Sequence, residues 1–182
     1  MKSLFKYLML LSITLLVFSG CKKDDDQSNF VRVDNEQFSL ASGVLVKFGM
    51  IGDEAEGCYY ALTLVSPDIE VGQYGSLSGT GAFINFFIVS ESLTGLPSGT
   101  YTFDETSIPL PFSTFGDAAH CMTWQSGHFN DMADIISGEI TVVNHDNDRY
   151  EITFNCKDEN NDRVEGYFNG TLLLCKGQLA KK

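Results

Sequence analysis

From Phe30 to Cys175 the chain is written in short apolar or alternating runs separated by turn residues. That is the pattern of strands rather than of helices. It is cleanest in the last third. In "GEITVV", Ile140 and Val142 share one face, and Glu139, Thr141 and Val143 share the other. In "RYEITFNC", Tyr150, Ile152, Phe154 and Cys156 alternate with Glu151, Thr153 and Asn155. The joining "NHDND" is turn chemistry, and "KDENND" (Lys157 to Asp162) makes the next turn into "RVEGYFNGTLLL" (Arg163 to Leu174). Ser137 to Leu174 is therefore expected to form a three-strand meander. Side chains alternate with a period of two, so the apolar faces coincide only if paired residue numbers sum to an even value. Ile140 opposite Phe154 is such a pair; a slip of one residue would turn every apolar side chain outward.

Earlier segments are less regular. Val31 to Val33 and Gln37 to Phe48 carry strand signals, and "YYALTLV" (Tyr59 to Val65) ends at the turn Ser66-Pro67-Asp68. "GQYGSLSGTG" (Gly72 to Gly81) reads as a flexible glycine-rich loop. "AFINFFIV" (Ala82 to Val89), with Asn85 its one polar residue, reads as a strand buried on both faces. "LPSGTYTF" (Leu96 to Phe103) is a turn into a strand, and "SIPLPFSTFGD" (Ser107 to Asp117) a proline-broken connection. Met132, Ile135 and Ile136 have helical spacing, but a helix that short is marginal, so the segment is taken as a strand lead-in. About nine strands result. The expected fold is all-β, an antiparallel β-sandwich, because the connections are uneven in length. The alternative is a meander β-barrel, calycin-like.

Residues 1–20 break this pattern. Lys2 and Lys6 precede a largely apolar run of 12 residues, Tyr7 to Phe18. A spanning helix needs about 20, whereas a signal-peptide core needs roughly 7–15. Export is expected rather than permanent insertion. The run ends in the small pair Ser19-Gly20, and Cys21 follows at once. "FSGC" resembles the lipobox of bacterial lipoproteins, with Phe18 where leucine is more usual. That resemblance implies lipidation of Cys21 and cleavage after Gly20. Two or three acyl chains hold a protein firmly where one is marginal. The following "KKDDD" resembles the charged export signal of Bacteroidota surface lipoproteins, which implies attachment to the outer membrane facing the cell surface; a periplasm-facing anchor is the alternative. The strand-turn-strand pattern ending in "GYFNGTLLL" is likewise similar to the C-terminal part of uncharacterised Bacteroidota lipoproteins, which implies no activity. The expected organisation is a signal peptide at 1–20, a flexible acidic tether at 21–29 reaching roughly 30 Å when extended, one β domain at 30–175 and a short tail at 176–182.

Charge removes some partners. The formal net charge is −12. Without the two leader lysines, 10 basic side chains face 24 acidic ones, or −14. Such a surface repels phosphate backbones, so nucleic acid is excluded as a partner. Anionic headgroups are repelled too, leaving the N-terminal lipid as the membrane contact.

The fold supplies few residues with recognisable chemistry. If Cys21 is the anchor, Cys58, Cys121, Cys156 and Cys175 remain as an even set of disulfide candidates with three possible connectivities; buried free thiols are the competing reading, since Cys156 lies on the apolar face of its strand. "DENND" places Asp158, Asn160 and Asp162 at alternate positions, like the opening of a calcium loop, but Arg163 and Asn169 stand where glycine and glutamate belong. "NHDND" (Asn144, Asp146, Asp148) fails in the same way at Arg149 and Asn155. Both read as polar hairpin turns. "HCMTWQSGHFNDMAD" gathers His120, Cys121, His128, Asp131 and Asp134 at spacings that match no zinc motif, and reads as a loop with scattered polar groups. "GSLSG" has Leu77 where a nucleophile elbow needs serine. No paired carboxylates stand out, and no phosphate loop is present. No metal, cofactor or catalytic residue is assigned. The expected function is a lipid-anchored, non-catalytic surface module binding a glycan or a protein, with Trp124 and the many tyrosines and phenylalanines as contact residues. A small-ligand carrier or enzyme with a pocket in a β-barrel is the alternative.

Overall fold

The alternation in the last third sets the register on which the whole sheet closes. The computed structural model describes residues 28–51, 57–106, 112–125 and 131–176. The leader, Cys21, residues 107–111, His128 and residues 177–182 lie outside the described residues. Eleven strands follow in order: β1 (Phe30–Val33), β2 (Glu36–Ser39), β3 (Ser42–Ile51), β4 (Gly57–Val65), β5 (Ile69–Val71), β6 (Leu77–Ser90), β7 (Gly99–Phe103), β8 (Thr114–Gln125), β9 (Met132–Asn144), β10 (Arg149–Asp158) and β11 (Arg163–Lys176). The meander β9-β10-β11 forms as expected, with Ile140 opposite Phe154 and Phe154 opposite Gly166. Phe154 covers that glycine; a Cβ on Gly166 would come within 2.1 Å of its ring.

The expected sandwich is corrected by two pairings. β11 pairs with β10 along one edge and, through Leu172 to Lys176, runs parallel to β3 on the other. The order β3-β4-β6-β8-β7-β9-β10-β11 then returns to β3, an eight-strand closed barrel. A sandwich would leave the edges of two sheets unpaired; here the edges pair with one another, which removes them. β7 is a wedge in the upper half of the wall, parallel to β8 and antiparallel to β9, while lower down β8 and β9 pair directly. The β1–β2 hairpin extends the wall beside the lower half of β11. Asn29, assigned to the tether, is docked on β11: its Oδ1 accepts from the Asn169 N–H at 2.7 Å and its carbonyl accepts from Leu40 N–H at 3.1 Å. At the other end β11 runs one residue past the expected domain boundary, to Lys176.

The barrel interior is filled. Leu62, Leu64, Ile84, Phe86, Ile88, Phe115, Ile152, Phe154 and Phe168 are buried within it. Phe86 is the hub, its ring 5.3 Å from Phe154 and 5.5 Å from Phe115. The upper mouth is plugged by the β6–β7 connection, whose Leu96 is buried in the core. Tyrosines from three strands hold that plug. Tyr60 Oη donates to the Ser92 carbonyl and accepts from Gly95 N–H, both at 3.1 Å. Tyr101 Oη donates to the Pro97 carbonyl at 3.0 Å, and Asn144 Nδ2 donates to the Leu96 carbonyl at 3.0 Å and to Tyr150 Oη at 3.4 Å. Burial pushes the Tyr60 and Tyr101 hydroxyls up to about 12, so both remain protonated donors at neutral pH.

The "both faces buried" reading of β6 holds in part: on its outer face Phe83 and Val89 are buried, while Asn85 and Phe87 are half-buried. β5 folds back to pair with the start of β6 and covers a second apolar cluster outside the barrel, Val65, Ile69, Phe83, Cys121 and Trp124. The segment Gly72 to Gly81 is thus built structure rather than a flexible loop: a 3₁₀ turn, Gln73–Gly75, leads straight into β6. Its glycines sit at close approaches. A Cβ on Gly79 would lie 2.1 Å from the Asp68 carbonyl, and one on Gly81 would lie 2.1 Å from Ser66 Oγ.

Candidate functional site

Among the described residues the lower mouth is left open, and its polar side chains come from four places. β8 and β9 are a hairpin rather than the expected loop, so "HCMTWQ" is strand. Ala118, His120 and Met122 share the inward face while Cys121 turns out into the Trp124 cluster. β10 ends at Asp158, the next inward position after Cys156. The β10–β11 turn adds Asp162, and the β1–β2 turn adds Asp34 from across the mouth.

Asp158 organises this end. Its Oδ1 accepts from the N–H groups of Asn160 at 3.0 Å and Asp162 at 2.8 Å, closing the turn with its own side chain. Asn161 adopts the left-handed conformation the turn needs, at φ 66°. The Asp158 Oδ2 meets His120 Nε2 at 3.0 Å, and both side chains are at least 95% buried. A carboxylate offers acceptors alone, so the network assigns the imidazole proton to Nε2. That leaves Nδ1 as an acceptor in the neutral ring. It is buried and has no hydrogen-bond partner among the described residues. A buried polar atom without a partner is uncommon and costly.

Above this pair lies an open cavity of about 550 Å³. Its walls carry five carboxyl side chains, Asp34, Glu36, Asp131, Asp158 and Asp162, and no lysine or arginine among the described residues. Thr123 donates to the Asp131 carboxylate, and Asp34 Oδ1 accepts from Arg163 N–H at 3.1 Å. Asp162 is the strained member. Desolvation, the negative charges of Asp34 and Asp158, and a hydrogen bond with Asp34 all raise its carboxyl above its ordinary value. A raised folded value means that the fold holds this proton more tightly than the unfolded chain does. The contribution of Asp162 is therefore most favourable below the unfolded carboxylate value of about 4 and is lost as pH rises through the higher folded value. Asp162→Asn should melt at a higher temperature than the parent at neutral pH, and the two curves should converge in acid. A parent that melts at or above the variant at neutral pH would show that the repulsion is not felt.

The polar side chains of "HCMTWQSGHFNDMAD" do not gather at one point among the described residues. His120 and Asp131 line the cavity, Cys121 lies on the opposite side of the wall, and Asp134 is exposed. Among the described residues, no three His, Cys, Asp or Glu side chains converge on a point that would hold a metal ion. Of the two calcium-like turns, "DENND" is part of the mouth. "NHDND" lies at the opposite end, where Asn144 holds the plug. Leu77 of "GSLSG" is the first residue of β6 and packs on the outer cluster. The four disulfide candidates stand as free thiols: Cys58 in the core near the upper mouth, Cys156 in the core near the lower, Cys121 outside the wall, and Cys175 half-buried near Val46. Burial pushes the Cys156 thiol up to about 12, which keeps it unreactive. Trp124, expected as a contact residue, is 4% exposed and packs edge-on against Phe83 at 6.4 Å. A second cavity of about 320 Å³ beside the upper mouth, between Leu45, Tyr60, Leu93 and Leu174, is mostly apolar. Comparison of the chain with family models, curated proteins and solved structures finds no match.

Proposed function

We propose that the protein is a lipid-anchored lipoprotein of the outer membrane, held at Cys21 and facing the cell surface, and that its barrel is a non-catalytic binding module whose ligand site is the lower mouth. The observation that supports the site is one of contrast: a concave polar pocket stands at the end of a barrel whose interior is packed. An apolar ligand carried inside the barrel would have to displace Phe86, Phe115 and Phe154, which speaks against the carrier alternative. The pocket volume falls within the roughly 300–1,000 Å³ of small-ligand sites. Among the described residues no phenylalanine, tyrosine or tryptophan lines it, and Trp124 is enclosed elsewhere. That absence of a stacking platform favours a peptide segment over a sugar.

The test is occupancy of the mouth. The full-length protein is probed on peptide and glycan arrays beside Met132→Trp, which fills the mouth from a half-exposed position on its rim. Every specific signal is expected to disappear in the variant; a signal that persists puts the ligand elsewhere. The anchor is tested on the same preparation by mass spectrometry, where an acylated Cys21 is expected at the mature N-terminus and an unmodified one refutes it.

A further inference from the structure

The chemistry of the mouth narrows its ligand. The acidic side chains that line it, Asp34, Glu36, Asp131 and Asp162, present carboxyl oxygens, and beneath them His120 Nδ1 is buried and unpartnered among the described residues. The neighbouring cations are directed elsewhere. Arg163 turns its guanidinium to Glu165 at 2.6 Å and to Asn155 at 3.4 Å, and Lys157 reaches Asn161 at 3.3 Å. Negative charge at the site is therefore not neutralised from within. A bare divalent cation does not fit, because three ligating groups do not converge among the described residues. A larger cation that brings its own N–H donors does not need them to converge. Two methionines, Met122 and Met132, form apolar wall beside the carboxylates. Methionine adapts to the shape of an aliphatic partner, and the stems of lysine and arginine pack on such surface while the head group stays polar.

With the lower mouth as the ligand site, the reading on which this step rests, we infer that it binds an alkyl cation rich in N–H donors: the lysine or arginine side chain of a partner peptide, its stem on Met122 and Met132 and its head group among Asp34, Asp162 and His120. A guanidinium or ammonium supplies donors only, which is what an acceptor-lined pocket lacks. It would also relieve the repulsion between Asp34 and Asp162. The net charge of −12 on the chain draws such a partner in from a distance, an attraction that salt screens.

The test uses full-length protein labelled with ¹⁵N, titrated with Ac-Gly-Arg-Gly-NH₂, Ac-Gly-Lys-Gly-NH₂, butylammonium and the uncharged citrulline peptide. The cationic peptides are expected to bind, to move the His120 ring nitrogen resonances, and to weaken steeply with added salt. The citrulline peptide should bind at least about tenfold more weakly, the scale of one lost charge-assisted contact. Asp162→Asn should lose a similar factor. Glu91→Gln, which removes the same charge at the plugged end, should lose none. Tighter binding of the peptides than of butylammonium supports a peptide partner, and equal binding supports a free amine as the source of the same chemistry. Citrulline binding equal to arginine, or cation binding that leaves the His120 resonances in place, overturns the inference. If a neutral array ligand occupies the mouth and loses it in Met132→Trp while the cations do not bind, the inference fails and the binding module stands. If nothing occupies the mouth, both fail.

Discussion

Phe86→Ala is expected to lower the unfolding free energy by about 3–5 kcal/mol, the cost of removing a fully buried aromatic side chain from a packed interior. Phe86 is the ring on which Phe115 from the neighbouring strand β8 and Phe154 from β10 across the barrel converge. The size of the loss depends on how far the surroundings can collapse into the space. A closed barrel collapses little, because each wall strand is hydrogen-bonded to neighbours on both sides and cannot slide inward independently. Urea denaturation checks this, with the midpoint moving and the slope unchanged. Leu173→Ala is the comparison: Leu173 is next to buried Leu172 on β11 but points outward and is half exposed, so it should change stability by no more than about 0.5 kcal/mol. Similar losses for the two would mean that the interior is not packed as described.

Asp158→Ala should cost a similar amount, about 3–5 kcal/mol, by a different mechanism. The carboxylate serves three donors at once, His120 Nε2 and the N–H groups of Asn160 and Asp162. Alanine leaves a buried imidazole with neither nitrogen paired and opens the β10–β11 turn. Asp158→Asn separates the two effects. Its Oδ1 can still accept from the turn, and its amide can donate to His120 if the ring proton moves to Nδ1. The loss should then be distinctly smaller, and the ¹⁵N spectrum of His120 should report the other tautomer. An asparagine variant as unstable as the alanine variant would show that the carboxylate's contact with His120, rather than the turn, carries the effect. An alanine variant as stable as the parent would remove Asp158 from the framework of the mouth altogether.

Part of this site was legible. In β10 the inward residues are the even-numbered ones, Tyr150, Ile152, Phe154 and Cys156, and Asp158 continues the series. An acid on the apolar face of an alternating strand is a signal, since a buried carboxylate requires partners. Reading the segment as turn ends the series one residue too soon. His120 carried the same signal between Ala118 and Met122 and was hidden because its segment read as loop. Its partner was not legible in any form. The two residues are 38 apart in sequence and meet through two hairpin registers, β8–β9 and β9–β10. Asp34 joins them from the first hairpin of the domain, which nothing local relates to either.

What the sequence determined by itself was the all-β class, most of the strands and, in the last third, their register. Alternation with a period of two is a local property, and burying one face is enough to select the parity that puts Ile140 opposite Phe154. Closure was decided only in three dimensions. The pairing of β11 with β3 joins Leu172 to Gly43, and no local pattern distinguishes a strand that ends a sheet from one that completes a ring. The same step decided which of β6's two apolar faces is interior and which is covered by β5. It also decided that the upper mouth is sealed by its own loop while the lower, among the described residues, is left open, acidic and lined by a histidine with one nitrogen unpaired.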